Sequence, residues 1–204
     1  MNKLEKRLID LSFKYKLSHI GSGLNTINFL KHTYDTKEKD AIVLLANAHA
    51  GLALYVVLED LGVCDAEEMI RKHGFHATKD TKHGVEATGG SLGWVEAIGV
   101  GMALADRAKN VYLITSDGAC AEGSVWEALR IAGEQKLDNL RVAVIANKYG
   151  AYGEIDLNDL DIRLNLFFPV YMVRVNLYQY PDWLQDLGGH YAVMDEKMYE
   201  EICA

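Results

Sequence analysis

Residues 111–150 read VYLIT-SDGACAEG-SVWEALRIAGEQK-LDN-LRVAVIA-NKYG. Two short apolar runs, 111–115 and 141–146, have the length and β-branched content of buried strands. The segment between them, 124–136, carries apolar residues at helical spacing. A strand, a crossover helix and a second strand make a parallel βαβ unit, whose ligands gather at the carboxyl ends of the strands. The loop after each strand is the informative part. In SDGACAEG, small residues flank Asp117, so backbone can approach a ligand closely. The helix that follows points its free N–H groups at the same place. Asn147 ends the next strand thirty positions later, an interval that fits one crossover helix and sets Asp117 and Asn147 on neighbouring strand ends. Taken singly, Asp117 reads as a helix N-cap and Asn147 as a turn residue. Taken as a pair, a carboxylate and an amide oxygen with a nearby carbonyl make a hard-cation site of the Mg²⁺ kind, completed by phosphate oxygens.

The same alternation extends in both directions. Residues 2–17 read as an amphipathic helix with Leu4, Leu8, Leu11 and Tyr15 on one side. SHIGSG (18–23) reads as a turn and 25–34 as a helix. AIVLL (41–45) is a strand running into a helix that Gly62 ends, and 65–71 is a short helix. A polar stretch from His73 to Gly90 precedes a glycine-spaced helix over 91–109. Beyond Asn147, 156–167 reads as helix, 170–175 as a last strand and 195–202 as a closing helix. The pattern predicts an α/β fold of three layers, a mostly parallel sheet with helices on both faces. With no repeat, no linker and two prolines, 1–204 reads as one domain.

Composition narrows the function. A formal net charge of −8 argues against nucleic acid as a partner, since phosphate binding needs a basic face. Cys64, Cys120 and Cys203 form no CxxC pair and no zinc-type spacing, so free thiols in a reducing cytoplasm are expected. No apolar run reaches membrane-spanning length, and the N-terminus lacks a signal-peptide core. A nicotinamide-binding Rossmann protein is disfavoured because no GxGxxG follows an early strand.

Several stretches, in one order, resemble the thiamine-diphosphate-binding part of the transketolase family. Ser116-Asp117-Gly118, then Glu122-Gly123, then Asn147 resembles its Gly-Asp-Gly…Asn motif, with serine in place of the first glycine. SHIGSG resembles Ser-Gly-His-Pro-Gly. NAHAGLALY (47–55) resembles Ser-Lys-Gly-His-Ala and its apolar helix. HGVEATGGSLGWVEAIGVGMALA (83–105), AEGSVWEAL (121–129) and KLDNLRVAVI (136–145) follow in family order. The resemblance runs over roughly residues 5–155.

By that resemblance, Asp117, Asn147 and the carbonyl of Tyr149 would hold Mg²⁺ (or Ca²⁺ or Mn²⁺), and Gly118 the diphosphate. Gly90 and Leu92 would line the cofactor's rings, and His19 and His49 would face cofactor and substrate. Glu122 and Glu127 would sit at the subunit junction. His76 matches a third histidine, with His73 as its rival, and His190 a further one. Each has a plainer alternative: a turn cap for His19, a helix N-terminus for His49, a solvated loop or surface position for His73, His76, His83 and His190, and a solvated helix face for the two glutamates. Gly93, Gly99 and Gly101 read as helix-packing positions, and Trp94 as a packing or interface residue. The implied activity is ketol transfer, a two-carbon glycolaldehyde unit passing from a ketose to an aldose on thiamine diphosphate. The family's pyrimidine-binding domain has no room here, so a separate pyrimidine-domain (C-terminal transketolase) subunit is expected, in an α2β2 heterotetramer acting on sugars or sugar phosphates. The C-terminal quarter departs from the family and reads as a shortened domain with one βα unit trimmed. The competing readings are the α-like chain of a 2-oxoacid dehydrogenase, part of a sugar-modifying synthase, and a non-catalytic scaffold subunit.

Overall fold

The computed structural model describes residues 1–185 and 187–204. Strands β1 (Ile42–Leu45), β2 (Val111–Ser116), β3 (Leu140–Ala146) and β4 (Val170–Arg174) form one sheet in the order β1-β2-β3-β4. All three neighbouring pairs are parallel, with Ile42 opposite Val111, Val111 opposite Leu140 and Val142 opposite Val170. Around it lie α1 (Lys3–Lys14), α2 (Ile20–Thr36), α3 (Gly51–Asp60), α4 (Ala66–His73), α5 (Trp94–Ala105), α6 (Gly123–Glu134), α7 (Leu157–Phe167), α8 (Leu187–Tyr191) and α9 (Glu196–Cys203).

Period-two alternation along the strands separates two cores. Val43, Leu45, Ile114 and Ile145 face one way, into Leu8 of α1, Ile27 of α2 and Tyr55 of α3. Leu44, Leu113, Val142 and Val144 face the other way, into Val95 of α5, Leu129 of α6 and Leu164 of α7. A sheet whose strands run in chain order sends every right-handed crossover to the same face. That accounts for α5, α6 and α7 sharing one side. The other side needs cover from elsewhere, and the N-terminal helices with α3 supply it. The three-layer arrangement expected from the alternation is thus present, and the sheet is fully rather than mostly parallel.

Element bounds differ from the sequence reading in places with a physical cause. SHIGSG is not a turn beyond His19, because α2 starts at Ile20 and runs through both glycines. A Cβ on Gly23 would lie 2.8 Å from Leu8 Cδ1, so the glycine lets α2 close on α1 at a position where propensity alone predicts a break. The helix read after β1 opens instead with a 3-10 turn over 48–50 before α3. The short helix α8 falls where the sequence offers Leu-Gly-Gly-His-Tyr and no helical pattern. At α1 Asn2 and Glu5 form a reciprocal capping box, and at α9 Asp195 accepts from the Met198 N–H.

Helix α6 meets the end of α7 at Gly133, whose added Cβ would stand 2.2 Å from the carbonyl oxygen of Phe167. Helix propensity favours alanine over glycine by about 1 kcal/mol, but a clash with backbone cannot be relieved by a side-chain rotation. Gly133→Ala is therefore expected to destabilise the fold by about 1–3 kcal/mol. Urea unfolding would show a lower midpoint, and an unchanged or raised midpoint would refute the contact.

Candidate active site

A cavity of about 500 Å³ opens at the carboxyl ends of the strands, where parallel sheets place their loops. Its walls come from the loops after β1, β2 and β3, from the start of α2, from the 73–93 connection and from the region around α8.

Asp117 and Asn147 stand side by side at this rim, because Ser116 on β2 is paired with Ile145 on β3. Asp117 Oδ1 accepts from the Gly118 N–H at 2.9 Å, the N-cap role read for it singly. Its Oδ2 accepts from the N–H groups of Asn147, at 3.0 Å, and Lys148, at 2.9 Å, which ties the two strand ends together. Asn147 Oδ1 accepts from the Tyr149 N–H at 3.0 Å, closing a turn. The local capping roles and the juxtaposition are both real. Asp117 is 5 % exposed, and among the described residues no cationic side chain pairs with it. Burial pushes its carboxyl up to about 6, against the downward pull of the three N–H donors. A buried carboxylate lacking a counter-cation, beside an amide oxygen with a spare lone pair, suits a hard divalent ion. Among the described residues no group of three or more His, Cys, Asp or Glu side chains could hold a metal. An ion here would therefore need ligand oxygens to complete its shell.

Across the cavity four histidines converge from four separate elements. His19 precedes α2, His49 sits in the 3-10 turn after β1, His76 lies in the connection after α4, and His190 is on α8. Ring centroids lie 4.3 Å apart for His19 and His190, 5.8 Å for His19 and His49, 6.2 Å for His19 and His76, and 5.6 Å for His49 and His190. Phe75 and Tyr191 flank His19 at 5.2 and 5.7 Å. His19 has φ +63°, a left-handed conformation uncommon for a non-glycine residue, and its N–H donates to the His190 carbonyl at 2.9 Å. Ser18 Oγ lies 2.7 Å from His19 Nδ1, and Ser22 Oγ 3.3 Å from His190 Nδ1. Burial, then the neighbouring imidazoles His190 and His76, hold His19 down at about 4. Burial, with His190, His19 and His76 after it, holds His49 at about 3. Burial also lowers His76 and His190. The cluster is thus neutral near pH 7.

The remaining residues named from sequence divide. Gly90, Leu92, Gly118 and Tyr149 line the cavity. Gly90 adopts φ +127°, a conformation that favours glycine, with the His76 ring 3.8 Å from where a Cβ would stand. His73 turns away to Asp80, Nε2 to Oδ2 3.0 Å, which leaves His76 as the residue that reaches the cluster. Glu122 and Glu127 do not line the cavity. Glu122 packs beside Gly93 at the start of α6, and Glu127 is exposed and 3.7 Å from Arg130. The sequence reading missed Ser22, Asn25, Thr26 and Asn47, all cavity-lining. For the three on α2 the available signal was polar residues at i, i+3 and i+4, which share one face at the start of the helix.

Comparison with known proteins follows this geometry. Residues 28–164 match the family model described as transketolase, thiamine diphosphate binding domain. The chain is 35% identical over 165 residues to one of the apulose-4-phosphate transketolase subunits of Phocaeicola vulgatus, covering 70% of this chain and 57% of that protein. It is 31% identical over 168 residues to the 6-deoxy-6-sulfo-D-fructose transketolase subunit SqwG of a Clostridium species, covering 72% and 61%. The chain thus spans little more than half the length of these relatives. The fold is similar to that of Campylobacter jejuni transketolase, with a TM-score of 0.65, 19% identity, and coverage of 95% of this chain and 41% of that one. Among the described residues no helix is long and apolar enough to cross a membrane.

The histidine values give a signed pH dependence. Folded His19 and His49 bind protons far more weakly than the ordinary 6.5 of the unfolded chain. Their contribution to stability is full above that value and is lost as pH falls toward about 4 and about 3. Asp117, raised on folding, works in the opposite sense, so a variant comparison isolates the histidines. His49→Gln is expected to lose less stability than the wild type between pH about 7 and about 4.5. Denaturant unfolding at both values measures it, and identical losses would contradict a buried neutral His49.

Proposed function

The chain belongs to the transketolase family of thiamine-diphosphate-binding domains, and from that premise we propose that it is the diphosphate-binding subunit of a two-subunit enzyme transferring a two-carbon ketol unit from a ketose to an aldose. The observation that carries this reading is a single one. One cavity holds a buried carboxylate–amide pair on one wall and four neutral imidazoles on the other.

The donor set supports a Mg²⁺–diphosphate unit held by Asp117, Asn147 and the carbonyl of Tyr149, with Gly118 close by. Gly90 and Leu92 would line the rings of the cofactor. Thiamine diphosphate, when bound, supplies the carbon nucleophile and electron sink that ketol transfer requires. The chain's own residues do the rest. Neutral imidazoles accept protons from substrate hydroxyl groups, and their weak proton affinity lets them hand those protons back. The ring contacts of His19 with Phe75, His190 and Tyr191 orient the imidazoles that act.

Two relatives are named as subunits of transketolases. This supports a separate partner subunit. We take that partner to be a pyrimidine-domain chain in an α2β2 assembly, with Glu122 and Glu127, at the start of α6, at the junction between chains.

Asp117→Ala removes the sole carboxylate of the proposed ion site. Calorimetric titration of thiamine diphosphate with and without Mg²⁺ is expected to show Mg²⁺-dependent binding lost in the variant. Affinity equal to wild type would sink the metal assignment.

A further inference from the structure

The inner wall of the cavity carries two buried amides that the residues assigned to the cofactor do not include. Asn25 is 7 % exposed and Asn47 is 1 % exposed, and both line the cavity. Among the described residues neither side-chain Oδ1 has a hydrogen-bond partner. For Asn47 the orientation of the amide is fixed by its neighbour. Thr26 Oγ1 donates to the Ser22 carbonyl at 2.8 Å, so it can only accept from Asn47, whose Nδ2 donates to it at 3.0 Å. The amide nitrogen is committed to Thr26, which leaves the oxygen without a donor. Buried acceptors left unmatched are unfavourable, and a pair of them beside a reaction cavity points to donors that arrive with a ligand.

The charge of that ligand is also constrained. Lys148 supplies the only cationic side chain of the cavity lining among the described residues, and its Nζ is engaged by Glu154 at 3.0 Å. No arginine among the described residues lines the cavity. Ser22 and Thr26 complete a wall of neutral polar groups on α2, facing the neutral imidazoles. A phosphate end would find no counter-charge here, whereas hydroxyl groups would find acceptors.

We propose that Asn25 and Asn47 form a hydroxyl-recognition subsite in this chain, binding the uncharged polyhydroxylated carbons of a ketose and offering no phosphate site of its own. This rests on the ketol-transfer reading above for the identity of the ligand as a sugar.

The test is ligand-observed NMR titration of D-xylulose and of its 5-phosphate against the full chain supplied with Mg²⁺ and thiamine diphosphate. Cofactor loading is read separately by calorimetry, and failure to load would count against the cofactor reading. The sugar titration, repeated on the unloaded chain in that case, still decides this one. Expected results are D-xylulose binding weakened tenfold or more by Asn25→Leu and by Asn47→Ala, and a 5-phosphate that binds no more tightly than the free sugar. Asn25→Leu is also expected to keep or raise thermal stability, because it removes an unmatched buried oxygen; a purely structural asparagine would lose stability instead. D-xylulose binding untouched by both variants, no binding at all, or a tenfold preference for the 5-phosphate would each overturn the proposal.

Discussion

Asp117 accepts backbone N–H groups from its own loop and from the end of the neighbouring strand, and most of the cavity's geometry follows from that. Its Oδ2 accepts from the N–H groups of Asn147 and Lys148, so the loops after β2 and β3 are tied together. Asn147 is then turned by its own bond to the Tyr149 N–H, which sets the third residue of the pair's surroundings. Remove the carboxylate and three N–H donors lose their acceptor at the mouth of the cavity, on top of any loss of cation binding. This coupling explains how a residue can be at once an ordinary cap and a candidate ligand: the cap bonds use lone pairs that orient the carboxylate, and burial leaves its charge uncompensated.

Sheet order decides what stands opposite. Because β1 to β4 run in chain order, α5, α6 and α7, each leading into the next strand, occupy one face and leave the other to α1, α2 and α3. The start of α2 thereby lies over the strand ends, carrying His19 and the Ser22, Asn25 and Thr26 stripe toward the same cavity that Asp117 borders. The backbone bond from His19 to the His190 carbonyl then brings in α8, so residues far apart in sequence share one ring cluster. The left-handed backbone at His19 costs of order 1–3 kcal/mol in isolation, and that bond and the ring stack hold it there.

How much of this was legible in the sequence depends on whether the signal is local. The unit from Val111 to Asn147 announces itself through two apolar runs and one helical period, and the Asp117–Asn147 adjacency follows from their spacing. His19 and His49 were visible through motif resemblance, as was His190, more weakly. The start of α2 was not visible, because Gly21 and Gly23 break helices by propensity, and only the nearness of Leu8 and Leu177 shows what a larger side chain there would displace. The choice between His73 and His76 needed the fold, since Asp80 captures the former through a contact that local sequence does not encode. Asn25 and Asn47 escaped notice for a related reason. A polar residue in a helix looks solvated until burial and bonding are known.

Charge poses the last constraint. The chain carries a net −8, which at long range disfavours an anionic ligand, yet the proposed cofactor is a polyanion. Screening confines the global repulsion to about 8 Å at physiological ionic strength, so the local field decides. That field has little positive side-chain charge, since Lys148 is neutralised by Glu154 and the four imidazoles are held uncharged. Backbone N–H groups at the loop after β2 would supply part of what is needed, but that of Gly118 is already committed to Asp117. A divalent ion, as proposed, would reconcile an acidic wall with a diphosphate, because Asp117 is a buried carboxylate without a counter-cation. The same scarcity of fixed cations, useful for holding one metal-bridged anion, leaves the far wall suited to neutral hydroxyl groups. On the proposed reading the two ends of the cavity would differ in chemistry because positive charge would be imported to only one of them.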